Sequence, residues 1–329
     1  MAAFTAIELS WWLVAWNFGI APVPRFGAYL ILASAGLSLA ILLRLATGLR
    51  PALASWRSAI AATLLAAAAA SIFLPLKYAI PSEIPFWLDK PLALAEQSLL
   101  GAPPWLLLDR TLGWAAVPMD WLYGCWLPVQ TLVFFLVVLA RPSPAKTRAL
   151  IAYSAGWFVL GVVAAALFAS AGPIFYDRLF GGNAFASLRG TLHARGVWIA
   201  TAESDRMWAS FATQRPGPIA GMSAVPSIHV AISFWIYLIA RTMAPRMAAP
   251  ALIYFILMWI GSVQLGWHYV VDGLAGAAGM LTIWSLSCRS KMKPTIVIAR
   301  HRSDLAPETD HRQGKAPEAP SGNPARRAT

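Results

Sequence analysis

Residues 221–230 read Gly-Met-Ser-Ala-Val-Pro226-Ser227-Ile-His229-Val, and residues 266–276 read Gly-Trp-His268-Tyr-Val-Val-Asp272-Gly-Leu-Ala-Gly. Each leads into an apolar run, 225–243 and 269–288, and a third run, 249–267, lies between them. A helix needs about 20 mostly apolar residues to cross the hydrocarbon core of a bilayer, so this region reads as three consecutive spans. The same criterion upstream gives spans at 57–76, 121–140 and 149–170, and a seventh at 26–47, where Arg44 near the end can snorkel to the interface. The expected fold is all-α: a polytopic transmembrane helix bundle of six core spans plus one at the N-terminal side. Residues 4–20 are Trp-rich, short and interrupted by Glu8. They suit an interfacial helix, with an eighth span as the alternative.

The composition agrees. Of 329 residues, 58% are apolar and 12% charged, and the mean hydropathy is +0.60. Soluble domains run at about 45–50% apolar and about 25% charged. A disordered chain, a coiled coil, a nucleic-acid-binding module and a soluble two-domain enzyme are all excluded, despite a net charge of +12. Residues 289–329 hold nine Lys and Arg against four acids, a net +5, in a Pro-, Gly- and Ala-rich tail expected to be disordered. Cys125 and Cys288 read as two small buried hydrophobes rather than a disulfide framework.

Residues 80–118 are broken by Pro81, Pro85, Pro91, Pro103 and Pro104 and mix Trp87, Trp105 and Trp114 with Asp89, Lys90, Asp109 and Arg110. This content suits amphipathic helices at the interface, expected to cover the outer mouth of a site and help select substrate. The chain thus divides into 1–118 (N-terminal spans and interfacial helices), 119–288 (a transmembrane core) and 289–329 (a basic tail). Short loops carry Arg44, Arg50 and Arg57; Arg141, Lys146 and Arg148; and Arg241 and Arg246. Alternating spans put these and the tail on one side, the cytoplasmic one. Loop 171–224 then faces outward, yet it holds five Arg against three acids, which suggests an anion to be bound there.

A titratable residue at the edge of a span is costly and functional by default. In the first motif Pro226 fits a first helical turn, leaving Ser227 and free N–H groups at a helix N-terminus, a ready anion site, with His229 close enough to pass a proton. In the second, His268 and Asp272 are four apart and share a helix face. A carboxylate there can hold one ring nitrogen and leave the other free to attack. Two plainer readings stay open: a buried polar pair joining spans, or two ligands of a metal site with His229 as the third.

Together the motifs resemble the type 2 phosphatidic acid phosphatase superfamily, whose Pro-Ser-x-His motif stands here as Pro226-Ser227-Ile228-His229 and whose later histidine and aspartate stand as His268 and Asp272. The surrounding residues, with Ala-Gly-Pro-Ile-Phe-Tyr at 171–176, look most like the branch containing inositol phosphorylceramide synthases. The resemblance covers roughly 120–288. It implies a metal-independent enzyme, without cofactor, that acts on membrane lipids. His268 would form a phosphohistidine stabilised by Asp272. His229 would protonate the departing oxygen and then activate the acceptor, and Ser227 would hold phosphoryl oxygens. The implied activity moves a phospho-head group, such as phosphoinositol, to a lipid alcohol, or with water as acceptor hydrolyses a lipid or isoprenoid phosphate. The protein is expected in the cell (inner) membrane with its site on the periplasmic face.

Two positions depart from the superfamily. Ser262 stands six residues before His268 where an Arg is expected, and the Lys-x6-Arg-Pro motif is absent in that form, since Arg215-Pro216 has Trp208 in the Lys position. Arg178 is the first candidate to supply the missing phosphate cation and Arg215 the second.

Overall fold

The computed structural model describes residues 26–48, 53–213 and 221–287. The segment 4–20, Arg215, Cys288 and the tail 289–329 lie outside the described residues. Within them the chain is helical, without strands. Helices α1 (Phe26–Ala46) and α2 (Leu53–Glu83) pack side by side, and α3 (Asp89–Leu100) and α4 (Pro104–Leu112) are short. Then come α5 (Ala116–Gly124), α6 (Trp126–Val138) and α7 (Pro144–Phe158), the last continuing through a π-helical turn to Leu167. Three short helices follow: α8 (Pro173–Phe180), α9 (Ala186–Ala194) and α10 (Ile199–Ala212). The bundle closes with α11 (Ile228–Met243), α12 (Ala248–Gln264) and α13 (Val270–Ser287).

Five helical segments are long and apolar enough to cross a membrane, and the segment 104–138 is a sixth if its two parts, bent by 45°, count as one span. The seven expected spans are thus modified at two places. The span at 121–140 breaks at Cys125, because Pro128 lacks the N–H that would continue the hydrogen-bond ladder of α5 and instead fits the first turn of a new helix. The span at 225–243 is shortened to 16 helical residues, since 221–227 approach it without helical structure. Cys125, expected to be buried, is exposed at the break. Conversely, α2 runs through Pro75 and Pro81 to Glu83, longer than expected. Neighbouring helices make such prolines tolerable within a membrane.

Large apolar side chains on α1, among them Ile31 and Leu42, face outward, as lipid contact requires, while Ala33, Gly36 and Ala40 turn inward. Gly36 lies so close to Thr131 that a Cβ there would overlap its methyl group. In the core, buried Trp235 donates from Nε1 to the Ala149 carbonyl at 2.9 Å, tying α11 to α7.

The two ends of the bundle differ in charge. At one, Arg44 donates to the Leu136 carbonyl (2.8 Å), Lys146 to the Ala140 carbonyl (2.9 Å) and Arg148 to the Trp284 carbonyl (2.9 Å). These cations satisfy last-turn carbonyls and complement the negative ends of the helix dipoles. The opposite end is roofed by α3, α4 and α8–α10. There the Asp120 carboxylate accepts from the N–H groups of Trp198, Ile199 and Ala200 (2.7–2.9 Å), capping α10, and Arg195 pairs with Asp109 at 3.0 Å.

Candidate active site

The starts of α11 and α13 meet under this roof. Ser227 is the N-cap of α11; its hydroxyl accepts from the Val230 N–H at 3.4 Å, and its own N–H donates to the Asp272 carbonyl at 3.0 Å. Gly276 packs against the Ser227 carbonyl so closely that any Cβ would overlap it. His229 therefore occupies the first turn of one helix beside the first turn of the other.

His268 lies two residues before α13 rather than on it. The chain turns at Gly266 (φ +76°), and the N–H groups of Trp267 and His268 both donate to the Ser262 carbonyl at 3.1 Å. Ser262, the residue that replaces the expected Arg, thus fixes the His268 backbone. The turn, not a shared helix face, brings His268 Nδ1 to 3.3 Å from Asp272 Oδ2, which also accepts from the Tyr269 N–H at 2.9 Å. Asp272 is fully buried and His268 only 5% exposed. With Nδ1 turned to the carboxylate, Nε2 is left for a partner. The His229 and His268 ring centres are 6.3 Å apart, and Tyr123 and Trp126 cover His229 at 4.6 and 4.1 Å. Among the described residues no three His, Cys, Asp or Glu side chains converge in a way that could hold a metal ion.

A frame of acids and glycines supports this turn from behind. Fully buried Asp89 accepts from the N–H groups of Ala171 and Gly172 (2.8 Å each), the Ser170 hydroxyl (3.1 Å) and the Tyr269 hydroxyl (3.2 Å). Burial raises its pKa above the usual carboxylate range, and these hydrogen bonds oppose that rise. Tyr269 is thus a buried strut between this turn and Asp89. Gly172 (φ +97°) lets the chain run against the Trp267 carbonyl, and the Ile174 N–H then bonds to the Gly266 carbonyl at 2.8 Å. This is the structural content of Ala-Gly-Pro-Ile-Phe-Tyr. Glu96 accepts from the Val270 N–H and so caps α13; burial, reinforced by the charge of Asp272, lifts its pKa to about 7.

In front of the histidines lies a cavity of about 540 Å³. His229, His268, Lys77, Glu203 and Trp267 are among its lining residues, together with apolar residues of α1, α2, α6 and α7, such as Leu32, Ala70 and Phe134, and a few polar ones on α6 and α7. Lys77 is 6% exposed and is the one Lys or Arg among the described lining residues. Its charge acts on His229.

The sequence-derived candidates fall into distinct places. His229 and His268 line the cavity, with Asp272 directly behind. Ser227 is fully buried as a cap and is not part of the lining. Arg178 bonds to Asp205 at 2.9 Å and stacks over Trp208, away from the lining. Residues 80–118, expected at the mouth, contribute none of the lining; α3 instead braces α13 from outside through Asp89 and Glu96. Lys77 escaped the sequence reading, although a signal exists: Lys77-x6-Ile84-Pro85 reproduces the Lys-x6-Arg-Pro spacing with Ile for Arg.

No curated protein and no solved structure matches this chain. Compared with protein families, residues 90–286 match the PAP2 superfamily, a stretch that takes in α3 through α13 with both histidines and Asp272. With more than half of its length covered by that match, the chain belongs to the PAP2 superfamily, a membership that supports an activity of the lipid phosphatase or phosphotransferase kind.

Proposed function

We propose that this membrane protein is a phosphotransferase that moves a phospho-head group, of the phosphoinositol kind, from a phospholipid to a lipid alcohol. The observation that carries the reading is the pair of histidines on the wall of a largely apolar cavity, one oriented by a buried carboxylate. His268 Nε2 attacks phosphorus, the bond from phosphorus to the diacylglycerol oxygen breaks, and His229 gives that oxygen its proton. In the second half the acceptor hydroxyl gives its proton back to His229, its oxygen attacks phosphorus, and the phosphorus–nitrogen bond breaks. Asp272 stabilises the imidazolium form and holds the tautomer. Lys77 carries the charge-balancing role first sought in Arg178 and Arg215, since among the described residues it is the cation that lines the cavity. Ser227 contributes by fixing the helix start that presents His229. Tyr123 and Trp126, packed over His229, favour a lipid alcohol over water as acceptor. In a cell membrane the site would face the periplasm and the basic end the cytoplasm.

The test is a panel of donor phospholipids given to purified protein with and without lipid alcohols, scored for transferred head group against free phosphate. Lipid-linked product that disappears in His268→Ala is expected. Free phospho-head group, or inorganic phosphate from a donor without a head group, with no lipid-linked product would sink the transferase and leave a hydrolase. Substantial turnover by His268→Ala on every lipid would sink the covalent mechanism.

A further inference from the structure

Below the histidines the cavity wall changes character within a single helical turn. Trp126 packs against the His229 ring, and Trp157 lies 5.9 Å beyond Trp126. Gln130 is one turn further along α6, about 6 Å at 1.5 Å per residue. There Gln130 donates from Nε2 to the Thr131 hydroxyl (3.0 Å) and accepts from the Tyr153 hydroxyl (2.5 Å), and Ser154 is the next residue on α7. All six residues line the cavity. Polar side chains at this depth are expensive in a membrane bundle and mark ligand paths.

The hydrogen-bond inventory gives the cluster a sign. Ser154 Oγ, Trp126 Nε1 and Trp157 Nε1 are buried and have no partner among the described residues. Ser154 and Trp126 are 3% and 5% exposed. The Gln130 amide has a second N–H beyond the one given to Thr131. What this stretch of wall lacks is therefore acceptors. Buried donors left without partners are uncommon and call for one.

We infer that the cluster of Gln130, Ser154, Trp126 and Trp157 receives the ester carbonyls of an acyl-linked lipid whose phosphate sits at His268. This rests on the proposed function and narrows its substrate class. In a diacyl lipid the ester carbonyls follow a few bonds after phosphorus, where the cluster stands relative to the histidines. An isoprenoid phosphate offers only hydrocarbon at that point and would leave the donors unpaired.

The experiment compares kcat/KM for a diester-linked donor phospholipid and its diether-linked counterpart, identical except for the carbonyls. A neutral hydrogen bond is worth about 1 kcal/mol, or about fivefold, so with two ester carbonyls the wild-type protein should favour the ester by about tenfold or more. In Gln130→Leu and in Ser154→Ala the ratio should fall toward one. Because it is a ratio within one preparation, partial loss of folded protein does not move it. A wild-type ratio near one, or a ratio unchanged in both variants, overturns the inference. If wild type turns over neither lipid, the proposed function fails separately. Direct binding of the two lipids then decides: tighter binding of the diester, lost in Gln130→Leu, supports the cluster, and equal binding overturns it.

Discussion

The backbone N–H of Ser227 donates to the backbone carbonyl of Asp272 at 3.0 Å, so the helix that carries His229 begins against the first turn of the helix behind His268. This main-chain bond, with Gly276 pressed against the Ser227 carbonyl, sets the spacing of the two histidines independently of any side chain at the site. The geometry leads to four expectations.

Asp272→Asn keeps the shape but removes the charge that selects the His268 tautomer. Turnover should fall on the order of 10³-fold or more, while the purified protein remains folded by size-exclusion profile. Asn-variant activity within a few-fold of wild type would show that His268 does not depend on that carboxylate.

Lys77→Met should lower kcat on the order of 10²–10³-fold, the usual cost of one charge-stabilising donor at a reacting oxyanion. Lys77→Arg should recover part of that loss. Arg178→Met, which breaks a pair with Asp205 outside the cavity, should change turnover far less. Steady-state kinetics on the three variants check the ranking, and the reverse order would return the phosphate role to Arg178.

Gly172→Ala places a Cβ at φ +97° against the Trp267 carbonyl. A residue forced into that region costs about 1–3 kcal/mol, so the apparent Tm in detergent should drop clearly. Gly190→Ala, with open space around its Cβ, is the matched control and should leave Tm nearly unchanged.

Glu96 should make stability depend on pH in a particular direction. Its pKa is lifted from 4.5 to about 7 in the folded protein. The folded state therefore keeps a proton that the unfolded chain releases, and stability falls as pH rises from about 4.5 to about 7. Melting curves across that window should show a decline that flattens in Glu96→Gln. An equal slope in the variant would assign the pH dependence to another group.

The membrane character, the order of the helices and the grouping of His229, His268 and Asp272 were legible in the sequence. Long apolar runs have few alternatives to spanning helices, and isolated His and Asp residues stand out in a chain so poor in charge. Asp89 and Glu96 could not be distinguished from the other charges of the Pro-rich segment. Their meaning comes from backbone N–H groups about 80 and 174 residues away in the chain. Arg178 shows the converse: position beside a motif suggested a phosphate ligand, whereas in space it pairs with Asp205, which Arg189 also holds.

By itself the sequence determined an all-α membrane bundle and the chemistry available at one end of it, because apolar run length and residue type are local quantities. Tertiary structure alone decided which cation faces the histidines, that Ser227 caps a helix instead of lining the cavity, and that unpaired donors line its wall one turn below. Those outcomes depend on which helix faces meet, and burial makes each unpaired polar atom costly enough for its surroundings to carry information.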